Sequence, residues 1–194
     1  MAKDKIIQKL VVIGGSAGSL DVLLLLCDQL PVLKDVSIVV ILHRKNQADS
    51  TLTDLLSYKT NMPVYEVEDK DELKAGQIYV APADYHLLFE DENTFSLDSS
   101  EKLNYSRPSI DMSFQSAAEV FGNRVIGLLL SGANADGTEG MRIIHEHGGY
   151  TIAQDPATAT VGFMPQQAID LGIIQKIAQP GEMQSLIVSL IQQV

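Results

Sequence analysis

Tryptophan is absent from this 194-residue sequence, aromatic residues make up only 6% of it, and cysteine occurs once. A single Cys27 excludes an internal disulfide and supplies no pair of thiolate ligands for a metal; its place in the apolar run Val22 to Cys27 reads as core packing. Basic residues are also scarce. Fourteen Lys and Arg stand against 25 Asp and Glu, a formal net charge of -11, and no stretch gathers the cations into a patch. Such a chain repels a phosphate backbone, which excludes nucleic acid as the expected partner. Long apolar runs are missing too, since Val22 to Cys27 is far shorter than the roughly 20 residues that cross a bilayer. The first apolar run meets Gly14 too early for a signal peptide, so the expectation is a cytoplasmic protein that is not membrane-inserted.

What is present is 45% hydrophobic and 20% charged sequence without linkers, repeats or low-complexity tracts, which points to a single globular domain over residues 1–194. Lys9 to Ile13 reads as a strand closed by Gly14-Gly15, and Leu20 to Leu30 as a helix ending before Pro31. The rhythm repeats with a strand over Ser37 to Leu42, a helix from about Asp49 to Tyr58, and strands at Val64 to Val67 and Ile78 to Val80. Glu68 to Gly76 reads as a solvated loop, and Leu87 to Phe89 with Phe95 to Leu97 as a hairpin on the edge of the structure. Asp111 to Phe121 and Asp136 to His147 read as helices around the strand Val125 to Leu130. Strands at Tyr150 to Ala153 and Ile173 to Ile177 alternate with helices at Met164 to Leu171 and Glu182 to Gln193. This alternation predicts an α/β fold, three-layered and doubly wound, with a mainly parallel sheet between helices on both faces. Sites in such sheets lie at the carboxyl ends of the strands.

Three of those ends carry chemistry. Gly14-Gly15-Ser16-Ala17-Gly18 follows the first strand and fits the G-x-S-x-G spelling of an exposed nucleophile on a strained turn. The same turn also suits phosphate binding or a tight corner, although a dinucleotide fold wants an acid at the end of the second strand, where His43-Arg44 stands instead. An imidazole there can take a hydroxyl proton, which makes His43 the candidate base, with His86 after Ala81-Pro82-Ala83-Asp84 as runner-up. His145 and His147 read as structural residues of a helix end. Asp136, within Ser131-Gly132-Ala133-Asn134-Ala135-Asp136-Gly137, can orient the imidazole or simply cap a helix, a role Asn134 could take instead. The order Ser, His, Asp along the chain disfavours an α/β-hydrolase.

Beyond these residues, the chain resembles the catalytic domain of the chemotaxis protein-glutamate methylesterases, the CheB family, over nearly its whole length. The likeness rests on Val11 to Gly18, the histidine after strand two, Tyr79 to His86, Arg107-Pro108-Ser109-Ile110-Asp111, Ser131 to Gly137 with Gly140-Met141, and Met164-Pro165 with Ala168-Ile169 and Gly172. It implies hydrolysis of glutamyl methyl esters on the cytoplasmic helices of chemoreceptors, often with deamidation of glutamines, and no cofactor or metal. By that resemblance Ser16 is the nucleophile, His43 the base and Asp136 its orienting acid, with the backbone N–H groups of Ala17 and Ala133 as oxyanion hole. Arg107, Met164 and the runner-up His86 are then expected at the substrate groove. Family members commonly carry an N-terminal receiver domain, whereas about eight residues precede the first strand here. The expectation is therefore an enzyme that is either constitutive or controlled by a separate regulatory protein. Ser106 stands where the family usually has histidine, and Gly162-Phe163-Met164-Pro165 departs from Phe-Gly-Met-Pro, which shifts a ring near the groove. A non-catalytic module that binds a partner or a nucleotide is the alternative.

Overall fold

A computed structural model describes residues 6–44 and 51–193. The elements in chain order are β1 (Lys9–Gly15), α1 (Leu20–Gln29), β2 (Val36–Leu42), α2 (Thr51–Lys59), β3 (Val64–Glu66) and β4 (Ile78–Val80). A hairpin of β5 (His86–Phe89) and β6 (Phe95–Asp98) follows, then α3 (Ile110–Phe121), β7 (Val125–Leu129), α4 (Thr138–Glu146) and β8 (Tyr150–Gln154). The chain closes with α5 (Phe163–Asp170), β9 (Lys176–Ala178) and α6 (Met183–Gln192). Seven strands pair in the order β3-β4-β2-β1-β7-β8-β9, every ladder parallel.

The central strands are apolar on both sides because each side meets a layer of helices. Successive residues of a strand point to opposite faces, so β1 sends Val11 and Ile13 into one cluster and Leu10 and Val12 into the other. β2 divides in the same way, Ile38 and Val40 against Val39 and Ile41. One layer consists of α1, α2 and α6, packed through Leu23, Leu56 and Ile187. The other contains α3, α4 and α5, through Phe114, Ile144 and Ala168. Each fully buried Leu, Ile or Phe contributes about 1.5–3 kcal/mol, so these two clusters fix which helices lie on which face.

That division creates the site. β1 leads into α1 on one face, while its neighbour β7 leads into α4 on the other, so the loops after β1 and β7 part and leave a crevice at the strand ends. Two sequence expectations change. The last strand is Lys176–Ala178, not Ile173 to Ile177, because the Thr151 hydroxyl donates to Ile173 O at 2.6 Å and Gln175 Oε1 accepts the Thr151 N–H at 2.8 Å. Side-chain bonds there stand beside the backbone bond from Gln175 N–H to Thr151 O at 3.0 Å. The helix expected from Asp136 starts at Thr138, with left-handed Gly137 as its cap. The expected hairpin forms a two-stranded sheet of its own, resting on α3; Ser113 Oγ donates to Leu87 O at 2.7 Å. Residues 45–50, which include the expected start of the second helix, lie outside the described residues. Among the described residues no helix is long and apolar enough to cross a membrane.

Candidate active site

The turn after β1 is made by close approach. A Cβ on Gly14 would lie 2.5 Å from Ile110, and one on Gly15 2.7 Å from Ser19, so both positions admit only glycine without rearrangement. Gly18 adopts φ +79, a left-handed conformation that L side chains resist, and it faces Thr160. Ser16 itself is not left-handed. The left-handed position of the turn falls on the glycine two places on, which adopts it without strain. Ser16 N–H donates to Ser131 O at 2.8 Å, and Ser16 O accepts from Ser19 N–H at 3.1 Å and Ser19 Oγ at 2.7 Å. The backbone is thus held while the Ser16 hydroxyl has no protein partner among the described residues.

Parallel register sets His43 beside this turn. Gly15 pairs with Leu42, and the His43 N–H donates to Gly15 O at 3.1 Å. The imidazole Nε2 lies 2.6 Å from Asp136 Oδ2, and its Nδ1 lies 3.4 Å from Ser106 Oγ. Asp136 is fully buried at the start of α3, where it accepts the N–H of Ile110 at 2.7 Å and of Asp111 at 2.9 Å, and the Ser109 hydroxyl at 3.0 Å. Burial alone would raise its pKa, but the His43 bond and the two helix N–H groups outweigh it and hold the carboxyl below its ordinary value. Asp136 therefore caps no helix of its own; it is bound by the amino end of a different one.

A second carboxyl shares the site. Asp111 Oδ1 accepts the N–H groups of Gly137 and Gly140, each at 2.8 Å, while Oδ2 accepts from Asn104 Nδ2 at 3.2 Å. Its burial and the adjacent Asp136 charge push it up to about 7, against the two glycine N–H groups. One carboxyl of the pair keeps its charge at the expense of the other.

A cleft of about 380 Å³ opens beside His43, lined by Arg44, Asp84, Lys102, Tyr105, Ser106 and Arg107. Arg107 stands in its wall, its Nη1 held by the carbonyls of Ser99 and Ser100 at 2.8 and 2.7 Å. His86 and Met164 do not reach a groove. Both are fully buried: His86 Nδ1 accepts the Ser109 N–H at 3.1 Å and Nε2 contacts Glu101 O at 3.0 Å, while Met164 packs where a Cβ of Gly132 would be. The exposed side chain at that helix start is Phe163, at 49%. Ala17 and Ala133 lie exposed at the two loop mouths, and neither N–H has a protein acceptor among the described residues. Cys27 is buried, which pushes its thiol up to about 12. Sequence reasoning missed the parts played by Ser106, Ser109 and Asp111. A serine followed two places later by aspartate at a helix start looks like an ordinary cap, and only the neighbouring loop reveals the second task.

Residues 11–187 match the family model of the CheB methylesterase. A relative from Leptospira interrogans is 38% identical over 182 residues, 94% of each chain. Proteins named protein-glutamate methylesterase/protein-glutamine glutaminase include one from Carboxydothermus hydrogenoformans, 38% identical over 88% of this chain, and one from Thermotoga maritima, 35% identical over 89%. The chain spans about half the length of those two, 52% and 51%. The crystal structure of the Thermotoga maritima CheB methylesterase catalytic domain superposes with a TM-score of 0.88 at 33% identity, covering 96% of this chain and 98% of that one. With its fold and nearly all of its sequence accounted for in this way, the chain belongs to the CheB methylesterase family.

Proposed function

We propose that this protein hydrolyses glutamyl methyl esters on the cytoplasmic helices of chemoreceptors, and deamidates glutamines at such sites, with Ser16, His43 and Asp136 as its catalytic triad. The observation that carries this reading is the 2.6 Å contact between His43 and the buried, ionised-favouring Asp136, set at the strand end next to Ser16. Asp136 accepts a hydrogen bond from the Nε2–H, which leaves Nδ1 as the basic nitrogen; the carboxylate fixes the tautomer and offsets the imidazolium charge during reaction. The Ser16 hydroxyl attacks the ester carbonyl carbon as Nδ1 takes its proton. The tetrahedral intermediate collapses, His43 returns the proton to the departing methoxide, and methanol leaves. Water, activated by the same nitrogen, then cleaves the acyl-enzyme to release glutamate and restore Ser16. An amide substrate follows the same path with ammonia as leaving group.

The unbonded N–H groups of Ala17 and Ala133 fit the oxyanion-hole role, since donors already spent on carbonyls stabilise nothing. A second reading makes Ser106 the nucleophile, because its Oγ is the group 3.4 Å from Nδ1. Ser106 is also engaged by Asn134 Nδ2 at 3.3 Å, which suits a positioning role better. Methanol release from methylated chemoreceptor separates the two. Activity is expected in the unmodified protein, lost in Ser16→Ala and His43→Ala, and retained in Ser106→Ala; the reverse pattern for the two serines moves the nucleophile, and no release by folded unmodified protein ends the esterase reading.

A further inference from the structure

The cleft beside His43 reverses the sign of the molecule. A chain of net charge -11 lines this one hollow with Arg44, Lys102 and Arg107 against a single carboxylate, Asp84. Glu66, outside the lining, pairs with Arg44 through one terminal nitrogen, which also donates to Ala81 O at 3.1 Å. The Nε of Arg44 and the Nε of Arg107 are both buried without a hydrogen-bond partner, and Lys102 has no hydrogen bond or ion pair among the described residues. Guanidinium donors anchored at one end and unspent at the other are a costly arrangement unless an acceptor arrives, because a buried unpaired donor forfeits its bond to water.

The rim adds an independent feature. Asn104 and Tyr105 both adopt left-handed backbone, φ 50 and 63, and the turn is held by Ser106 N–H to Leu103 O at 2.9 Å and by Asn104 to Asp111. A bulky residue resists this conformation, and here it leaves the Tyr105 ring 98% exposed at the mouth of the cleft. Burial explains nothing about a side chain so placed; a surface for a bound chain does.

We infer that this cleft reads the residues flanking the target glutamyl group, and that it selects a substrate segment carrying additional carboxylates. The inference rests on the esterase reading for the position of the reacting group, and it names the charge class of the neighbours. Arg44, Lys102 and Arg107 receive the flanking carboxylates, and Tyr105 covers the segment's aliphatic stems.

The test uses two fluorescent peptides with one glutamyl methyl ester each, flanked by glutamates in one and by glutamines in the other. Anisotropy titration with Ser16→Ala, which leaves the ester intact, is expected to show about 5-fold tighter binding of the acidic peptide at low ionic strength, as a few exposed charge pairs produce. That preference falls towards unity at high salt, and also in the double variant Ser16→Ala with Lys102→Glu, which leaves Arg44 and Arg107 against two carboxylates in the lining. Equal affinities, binding of neither peptide, or a preference for the neutral one overturns the inference. Methanol release from the neutral peptide by unmodified protein reports on the esterase separately. Hydrolysis without charge preference removes the inference and keeps the esterase, whereas charge-selective binding without hydrolysis does the opposite.

Discussion

Turn 14–18 and loop 131–137 lie side by side at the end of the sheet, joined by the Ser16 N–H to Ser131 O bond, yet they are secured by different means. In the first, glycines allow close approach to Ile110, Ser19 and Thr160, and the one functional side chain is left unbonded. In the second, the functional side chain is the most heavily bonded group of the site, with Asp136 gripped by His43, Ser109 and the amides of Ile110 and Asp111. A nucleophile needs freedom to approach a substrate, whereas an orienting acid needs immobility. Activity and stability should therefore separate cleanly in the first loop and fail together in the second.

The largest test is Ser16→Ala, expected to lower turnover by about 10⁶-fold while leaving the unfolding midpoint unmoved. Methanol release and a thermal melt on the same sample check both halves; a large loss of stability would mean that the hydroxyl holds the turn. Asp136→Asn is expected to cost about 10⁴-fold in kcat through the wrong imidazole tautomer, and about 2–3 kcal/mol in denaturant unfolding because amides and a hydroxyl lose a charged acceptor. Unchanged stability in that variant would break the contrast. Gly18→Ala places a Cβ 2.4 Å from Thr160 at φ +79, and the expected cost is about 1–3 kcal/mol of stability, measured by urea denaturation.

The carboxyl pair adds a dependence on pH. Asp136, held below its ordinary value, contributes stability that is present above the unfolded carboxylate range and is lost as pH falls beneath it. Asp111 has the opposite sign: raised to about 7, its contribution is full below the unfolded value of 3.8 and is lost as pH climbs to about 7. Unfolding free energy measured from pH 4 to 8 should therefore decline across that window in the unmodified protein. Asp111→Asn should flatten this decline, since the amide has no proton to lose. The smallest expected effect is Ser106→Ala, a loss in kcat/KM of less than about 10-fold, which a steady-state assay resolves.

The alternation of apolar runs with helical stretches made the parallel sheet legible, because strands buried on both faces read as continuous Val, Ile and Leu. His43 was legible for a similar reason: it is the residue directly after such a run, and strand ends are where side chains can gather. His86 was read amiss on the same logic. It too stands at the junction of a loop and a strand, but the hairpin folds over α3 and encloses it against Ser109 and Glu101. Met164 and Phe163 show the limit again, since neighbouring apolar residues at a helix start differ only in rotation about the helix axis.

The sequence by itself determined the element order, the glycine turn after the first strand and the chemical kinds of side chain available at three strand ends. Local pattern suffices for these because hydrophobic period and backbone sterics act over a few residues. Only the tertiary structure decided that Asp136 meets His43 across 93 positions, that it lies at the amino end of α3 instead of capping α4, and that Asp111 is forced to share its surroundings. Those outcomes depend on which helix packs on which face of the sheet, and that choice is made by the burial of both apolar clusters together, a sum over the whole chain that no short segment contains.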